Sequence, residues 1–337
     1  MNPRQAFRVF LWLVRDTFRQ SLESRVCWIL MGLSGVVVLT CLSVRVDGSQ
    51  ALQRPGAQPD FLPRSDPRAV PELTKREGLD VISGELSVAF GAFRLPLARD
   101  TRDAVRFLEV VLAGAVAGIM GLFLTLIWTA GFLPDFLAPR ASAVLLVKPT
   151  PRWFLFLGKY ASVIAFVAAQ TTILVGGTWL ALGARTGIWD APYLWCAPLL
   201  VLEFAVFFSI SALAAAHLRG TPACALAALL FWGLCWGMNY GRHAVVALPY
   251  TAARAVQASS LIRGAVEVGY WILPKPADLG IILTDLIGGT PYVAAVPEFE
   301  AVKRHQRFDP LAAVATSLAT SCAALFLAAR RFEATDY

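Results

Sequence analysis

The sequence predicts an all-α integral membrane protein with six transmembrane helices, and three observations carry that prediction. Hydrophobic residues make up 57% of the 337 residues and charged residues 16%, well away from the composition of soluble domains. Six apolar runs, at residues 26–44, 107–133, 161–182, 191–215, 223–240 and 310–329, come near the ~20 residues that a helix needs to cross about 30 Å of hydrocarbon. Between the runs, Lys and Arg are denser on one side, 12 in 67 residues against 18 in 139. The denser side is expected to be cytoplasmic, which puts both termini there and makes this a multi-pass protein of the cytoplasmic (inner) membrane.

Residues 1–25 precede the first span as a cytoplasmic interfacial helix. Arg4, Arg8, Arg15 and Arg19 form one helical stripe opposite Phe7, Phe10, Leu11, Val14 and Phe18. The run 26–44 continues into Ser43-Val44-Arg45-Val46 without an Ala-x-Ala-like site, so it reads as an uncleaved span and not as a signal peptide. Residues 45–106 form the first of two larger extracytoplasmic regions. Its first part, RPGAQPDFLPRSDPRAVP, is proline-rich and irregular; LDVISGELSVAFGAFRL alternates, turns at Ser83-Gly84, and reads either as a small β-hairpin or as plain loop.

The second span, 107–133, carries Gly114, Gly118 and Gly121 in AGAVAGIMG, small residues on one face that are expected to admit another backbone in helix packing. Glu109, near its outer end, is expected to reach the interface and stay solvated. Pro134 closes this span, and 134–160 follow as a cytoplasmic elbow. Asp135 can cap a helix reaching Val147 before Pro149 and Pro151 force an extended break.

The spans 161–182 and 191–215 are joined by GARTGIWD, which Trp179, Trp189, Tyr193 and Trp195 bracket as an outer aromatic belt. The run 223–240 is the shortest, a full span or a re-entrant helix. Residues 241–309 are the second extracytoplasmic region, with two amphipathic helices separated by Pro274 and Pro276. After the last span, 310–329, a tail at 330–337 begins with Arg330 and Arg331.

Glu203 sits in the middle of LLVLEFAVFF, where a charge costs several kcal/mol, ~2.5–3.5 on translocon scales, unless it is neutralised, paired or hydrated. With Gln170 it is a candidate for a translocation path; the other reading is a hydrogen-bonded glutamate at a helix interface, with Gln170, Thr171 or Thr172 as partner. His217, His243 and His305 fall outside the six runs and there is no H-E-x-x-H, so neither catalytic residues nor a metal site is expected. The six cysteines all lie in the runs and imply no disulfide framework. The formal charge of +7 suits anionic headgroups, and no soluble basic domain exists to hold nucleic acid.

The stretch LLVKPTPRWFLFLGK, with the elbow before it and VRDTFRQSLESRVCWIL near the start, resembles the permease subunits of ABC-2 type transporters (type V exporter-like). In that family a coupling helix joins the second and third spans; this chain has Ala138, Pro139, Arg140, Ala141 and Ser142 where the family often carries a second acidic residue and a Gly-Thr or Gly-Ser pair. The resemblance implies an exporter permease, not itself an enzyme. It also implies coupling to an ATPase through Asp135, Phe136, Arg140, Leu145, Lys148, Pro149, Arg152 and Lys159. Its partners would be two copies of an ABC ATPase subunit, a second permease copy or paralogue, and the lipid bilayer. No cofactor would bind this chain; ATP and Mg would sit on the ATPase, in keeping with the lack of a G-x-x-x-x-G-K-[ST] motif here. The competing reading of the elbow is a segment lying on headgroups with Arg140, Lys148 and Arg152 as lipid anchors. The competing functions are an intramembrane enzyme and a secondary carrier acting without an ATPase.

Overall fold

Six helices long and apolar enough to cross a membrane frame the computed structural model: Arg25–Leu42, Ala104–Leu137, Arg152–Thr186, Ala191–Leu218, Thr221–Leu248 and Pro310–Glu333. The structure describes residues 3–47, 84–88, 90–97, 101–138, 151–218, 220–251, 259–289, 297–304 and 308–334. On length and composition this is a multi-pass membrane protein.

Helix α1 (Pro3–Glu23) leads into α2 (Arg25–Leu42), the first span. The second span is composite: α3 (Thr101–Val111), a π-helical segment (Leu112–Gly121), α4 (Leu122–Thr129) and, after a break at Ala130-Gly131, α5 (Phe132–Leu137). Then come α6 (Arg152–Thr186), a 3₁₀ turn (Ala191–Trp195) and α7 (Cys196–Leu218). They are followed by α8 (Thr221–Thr251), α9 (Ser260–Ile272), α10 (Pro276–Leu286), α11 (Pro297–Arg304) and α12 (Pro310–Glu333).

The centre of the bundle is α7, which packs on α12, α8 and α6. Lipid tails are as apolar as leucine, so burial from water cannot hold these helices together; close packing of aromatic and small residues does. Phe208 stacks on Tyr160 at 5.5 Å and on Phe204 at 5.2 Å between ring centres, and the Tyr160 hydroxyl donates to the Ala205 carbonyl at 2.6 Å. Large aliphatic side chains such as Leu39, Leu230 and Leu327 point outward instead.

Helix α1 lies against the first turns of α6 through Leu13, Thr17 and Ser21, all fully buried. Gly158 makes the approach possible, since a Cβ there would come within 2.6 Å of Leu13 Cδ1. Phe7 and Leu11 remain exposed on the opposite side, as a helix lying on a membrane surface requires. Arg152 Nη1, at the start of α6, meets the Glu333 carbonyl at 3.5 Å, so α1 and the end of α12 share one end of the bundle, called here the terminal end.

At the opposite end β1 (Arg45–Asp47), β2 (Gly84–Val88) and β3 (Phe93–Leu97) form an antiparallel sheet in that order. Between β2 and β3 the chain turns at Phe90 and Gly91, both at positive φ; Gly84, read as part of a turn, opens β2, and Ser83 lies outside the described residues. Gly91 takes its φ of 89° without the steric cost a side chain would bring. The proline-rich stretch before it lies outside the described residues.

Three of the boundaries that differ from those of the apolar runs have a physical cause in the packing. The third span begins at Arg152, because Lys159 is buried among protein groups and does not end the helix. The fifth runs past Tyr240 to Leu248, within a helix that ends at Thr251, because Arg242 and His243 are covered by α9, α10 and α11. The second breaks at Ala130-Gly131 and not at Pro134, which sits in the first turn of α5, where a missing N–H costs nothing. Of the elbow helix expected from Asp135 to Val147 only residues 135–138 are described: they belong to α5, which begins at Phe132 and ends at Leu137 before an extended Ala138, and residues 139–150 lie outside the described residues. All six cysteines are free thiols.

Candidate functional site

The structure brings Glu203 and Gln170 into one cavity of about 250 Å³, walled by α2, the π-helical segment, α4, α6 and α7. At 1.5 Å per residue, Glu203 lies about 18 Å along the chain from Ala191 and about 22 Å from Leu218, which is mid-depth in the fourth span. Gln170 Nε2 donates to Ser34 Oγ at 3.1 Å, and that hydroxyl donates to the Leu30 carbonyl at 2.9 Å. The Thr125 hydroxyl, also on the wall, donates to the Gly121 carbonyl at 2.7 Å. Of the threonines read as partners for Glu203, Thr171 lines the cavity while Thr172 turns away and bonds the Ala168 carbonyl.

One wall is the π-helical segment, a conformation rare in proteins and often found at functional sites. Helix packing is expected of its glycines; among the described residues they meet little from other helices. A Cβ at Gly114 would meet nothing within 4 Å, while at Gly118 and Gly121 it would meet the helix's own carbonyls, Ala113 O at 3.0 Å and Val116 O at 3.2 Å. Both carbonyls sit five residues back, so Gly118 and Gly121 leave room for the wide turn. Among the described residues, Leu200 Cδ2 at 3.8 Å from Gly118 is the nearest contribution from another helix.

At the terminal end the coupling residues separate into different environments. Asp135 is exposed on α5, and Phe136 is buried at 8% exposure. Lys159 is 1% exposed: its Nζ donates to Asp16 Oδ2 at 3.2 Å and to Gln20 Oε1 at 3.1 Å, and lies 5.8 Å from the Phe136 ring centre. It fastens α1 to α6 and is not available to a docking partner, which corrects its expected role. Arg152 is half-buried near the chain's last helix. Arg140, Leu145, Lys148 and Pro149 lie outside the described residues.

Two buried polar clusters at the opposite end were not anticipated. Glu109, expected to be solvated, is 1% exposed, beside an ion pair of Arg106 Nε with Asp190 Oδ2 at 3.1 Å. Its neighbour Val110 packs with Tyr193 and Cys196, so the α6–α7 connection shields this end of α3.

The second cluster pins α10 to α8. Asp278, fully buried in the first turn of α10, accepts from Asn239 Nδ2 at 2.9 Å, His243 Nε2 at 2.5 Å and the Tyr270 hydroxyl at 2.8 Å. Its backbone N–H donates back to Asn239 Oδ1 at 3.0 Å. Burial alone would raise the Asp278 pKa, but the hydrogen bond and charge of His243, with the Asn239 and Tyr270 bonds, outweigh it and hold the carboxyl below its usual 3.8. Lys275 is fully buried beneath the Tyr270 ring, 4.4 Å from its centre, and donates to Thr316 Oγ1 of α12. Burial depresses its ammonium to about 8, against the pull of Asp278. The spacing of four between Asn239 and His243 puts both on one helix face. Asp278 just after Pro276 is a helix-start pattern. Each is visible in the sequence, but nothing local joins them.

His243 therefore lies within a long helix, not outside the spans, yet Asp278 spends both carboxylate oxygens on internal donors, the pattern of a structural pin. Among the described residues no group of three or more His, Cys, Asp or Glu could hold a metal. No family model, characterised protein or solved structure matches the chain.

Proposed function

We propose that this chain is the membrane-spanning permease subunit of an ABC-2 type transporter, an exporter driven by two copies of a separate ABC ATPase and assembled with a second permease copy or paralogue. The observation that carries the reading is the mid-depth cavity in which Glu203 and Gln170 meet. A carboxyl group kept at that depth needs a reason, and lining a path is one. The terminal end, with the exposed Asp135, is the cytoplasmic face on this reading. ATP binding closes the ATPase pair and displaces the elbow; α6, clamped to α1 by Lys159, carries the movement to the cavity. The π-helical segment, a conformation frequent at functional sites, is the part of the second span that rearranges.

Replacing Asp135 and Arg140 with alanine tests the coupling. The expected result is loss of transport-linked ATP hydrolysis, of assembly with the ATPase, or both; unchanged values of the two contradict it. Glu203→Gln is the matching test of the path, and unaltered transport would leave Glu203 structural.

A further inference from the structure

The chemistry of the cavity wall selects among ligands. Glu203 is its one ionisable residue; no Lys, Arg or His lines it among the described residues. The Ser34 and Thr125 hydroxyl protons are committed to backbone carbonyls, and one amide hydrogen of Gln170 is committed to Ser34. What faces the space is the Glu203 carboxyl, the Gln170 amide and the Thr171 hydroxyl, with no positive charge among them. A ligand phosphate or carboxylate would meet a like charge with no cation to offset it. Glu203 has the neutral Trp232 indole as a neighbour, and an ammonium would add the opposite charge that a carboxylate at this depth requires.

The remaining wall is aliphatic and aromatic, and Leu33, Met120 and Leu124 on it are 45%, 58% and 38% exposed. In a membrane-spanning bundle those side chains face hydrocarbon at the level of the cavity, so a ligand reaches it sideways from the lipid. At about 250 Å³ the space falls below the roughly 300–1,000 Å³ of pockets that hold drug-sized molecules, which favours one chain over a bulky ring system.

We propose that the cavity binds a membrane-soluble amine, its ammonium between Glu203 and Gln170 and its single aliphatic chain along α2 and the π-helical segment. The inference rests on the reading of this cavity as part of a translocation path, and names the substrate class that path accepts.

The test is binding to the full chain in phosphatidylcholine nanodiscs at pH 7, with radiolabelled dodecylamine, dodecanol and dodecyl phosphate as probes and empty nanodiscs as the partition background. The expected result is a saturable excess of dodecylamine at one per chain, with no such excess for the other two. Glu203→Gln should weaken amine binding at least tenfold, equivalent to about 1.4 kcal/mol. Gln170→Leu should weaken it severalfold. No saturable amine binding, equal binding of the alcohol or the phosphate, or amine binding unchanged in Glu203→Gln overturns the proposal. Should a variant fail to fold, the ranking of the three probes on the unaltered chain decides alone. No ATPase takes part, so failure here leaves the transporter assignment standing, and absence of an ATPase partner leaves the binding result standing.

Discussion

Replacing Asp278 with leucine, close in size but without an acceptor, removes the group on which three buried donors converge. Asn239 Nδ2, His243 Nε2 and the Tyr270 hydroxyl would lose their partner at 2.9, 2.5 and 2.8 Å. An orphaned buried donor costs about 1–3 kcal/mol, so the three together set a ceiling near 9 kcal/mol. The amide and the hydroxyl can each turn to other acceptors, which brings the expected loss to about 3–5 kcal/mol, as when one member of a buried ion pair is removed. For a chain of this size that lowers the unfolding midpoint by roughly 4–7 °C. The buried thiols of Cys27, Cys224 and Cys235 supply the assay, since a thiol-reactive fluorophore reaches them on unfolding, with exposed Cys322 as baseline. Asp278→Asn keeps an acceptor for His243 and Asn239 and offers its amide to the Tyr270 oxygen, so it should lose about 1–3 kcal/mol. A shift under about 2 °C for Asp278→Leu, or equal damage from the two variants, would refute the assignment of Asp278 as the pin.

Three further outcomes follow from the packing. Lys275 gives up its proton at about 8 in the folded chain and near the ordinary 10.5 when unfolded. Between those values the unfolded state binds more protons, so stability should rise with pH across that window; Lys275→Met should flatten the rise, seen by comparing midpoints at pH 7.5 and 9.5. Lys159→Met removes the two bonds to Asp16 and Gln20 and should release α1 to protease while the spans stay folded, at a cost of about 1–3 kcal/mol; an unchanged cleavage rate would show that Leu13 and its neighbours hold α1 unaided. Gly183→Ala places a Cβ within 2.5–2.7 Å of three ring atoms of Trp189 and should cost about 1–3 kcal/mol, recovered in part by Trp189→Leu.

The six spans were legible because crossing hydrocarbon demands apolar length, and apolar length is written locally in the chain. Their ends were less so, because a polar residue ends an apolar run whether it meets water or a buried partner. Lys159 and the Arg242-His243 pair look alike in sequence to residues at an interface; only Asp16 and Gln20, or Tyr270 and Asp278, make them interior. Glu109 misled for the same reason, its cover coming from the α6–α7 connection. The glycines of AGAVAGIMG were visible, but small residues serve close packing and wide turns equally, and the choice lay in where neighbouring helices stopped. Glu203 stood out alone, since a lone acid in an apolar run has few explanations; Ser34, which completes the polar side of its cavity, carries no such mark.

The most direct test of the account is to purify the tagged chain from its native membrane in mild detergent and identify what accompanies it, with an ATPase assay on the complex. The expected result is a stoichiometric partner bearing a G-x-x-x-x-G-K-[ST] motif and ATP hydrolysis by the complex, both lost in the Asp135→Ala, Arg140→Ala double variant. A chain that purifies without such a partner and without ATPase activity would contradict it.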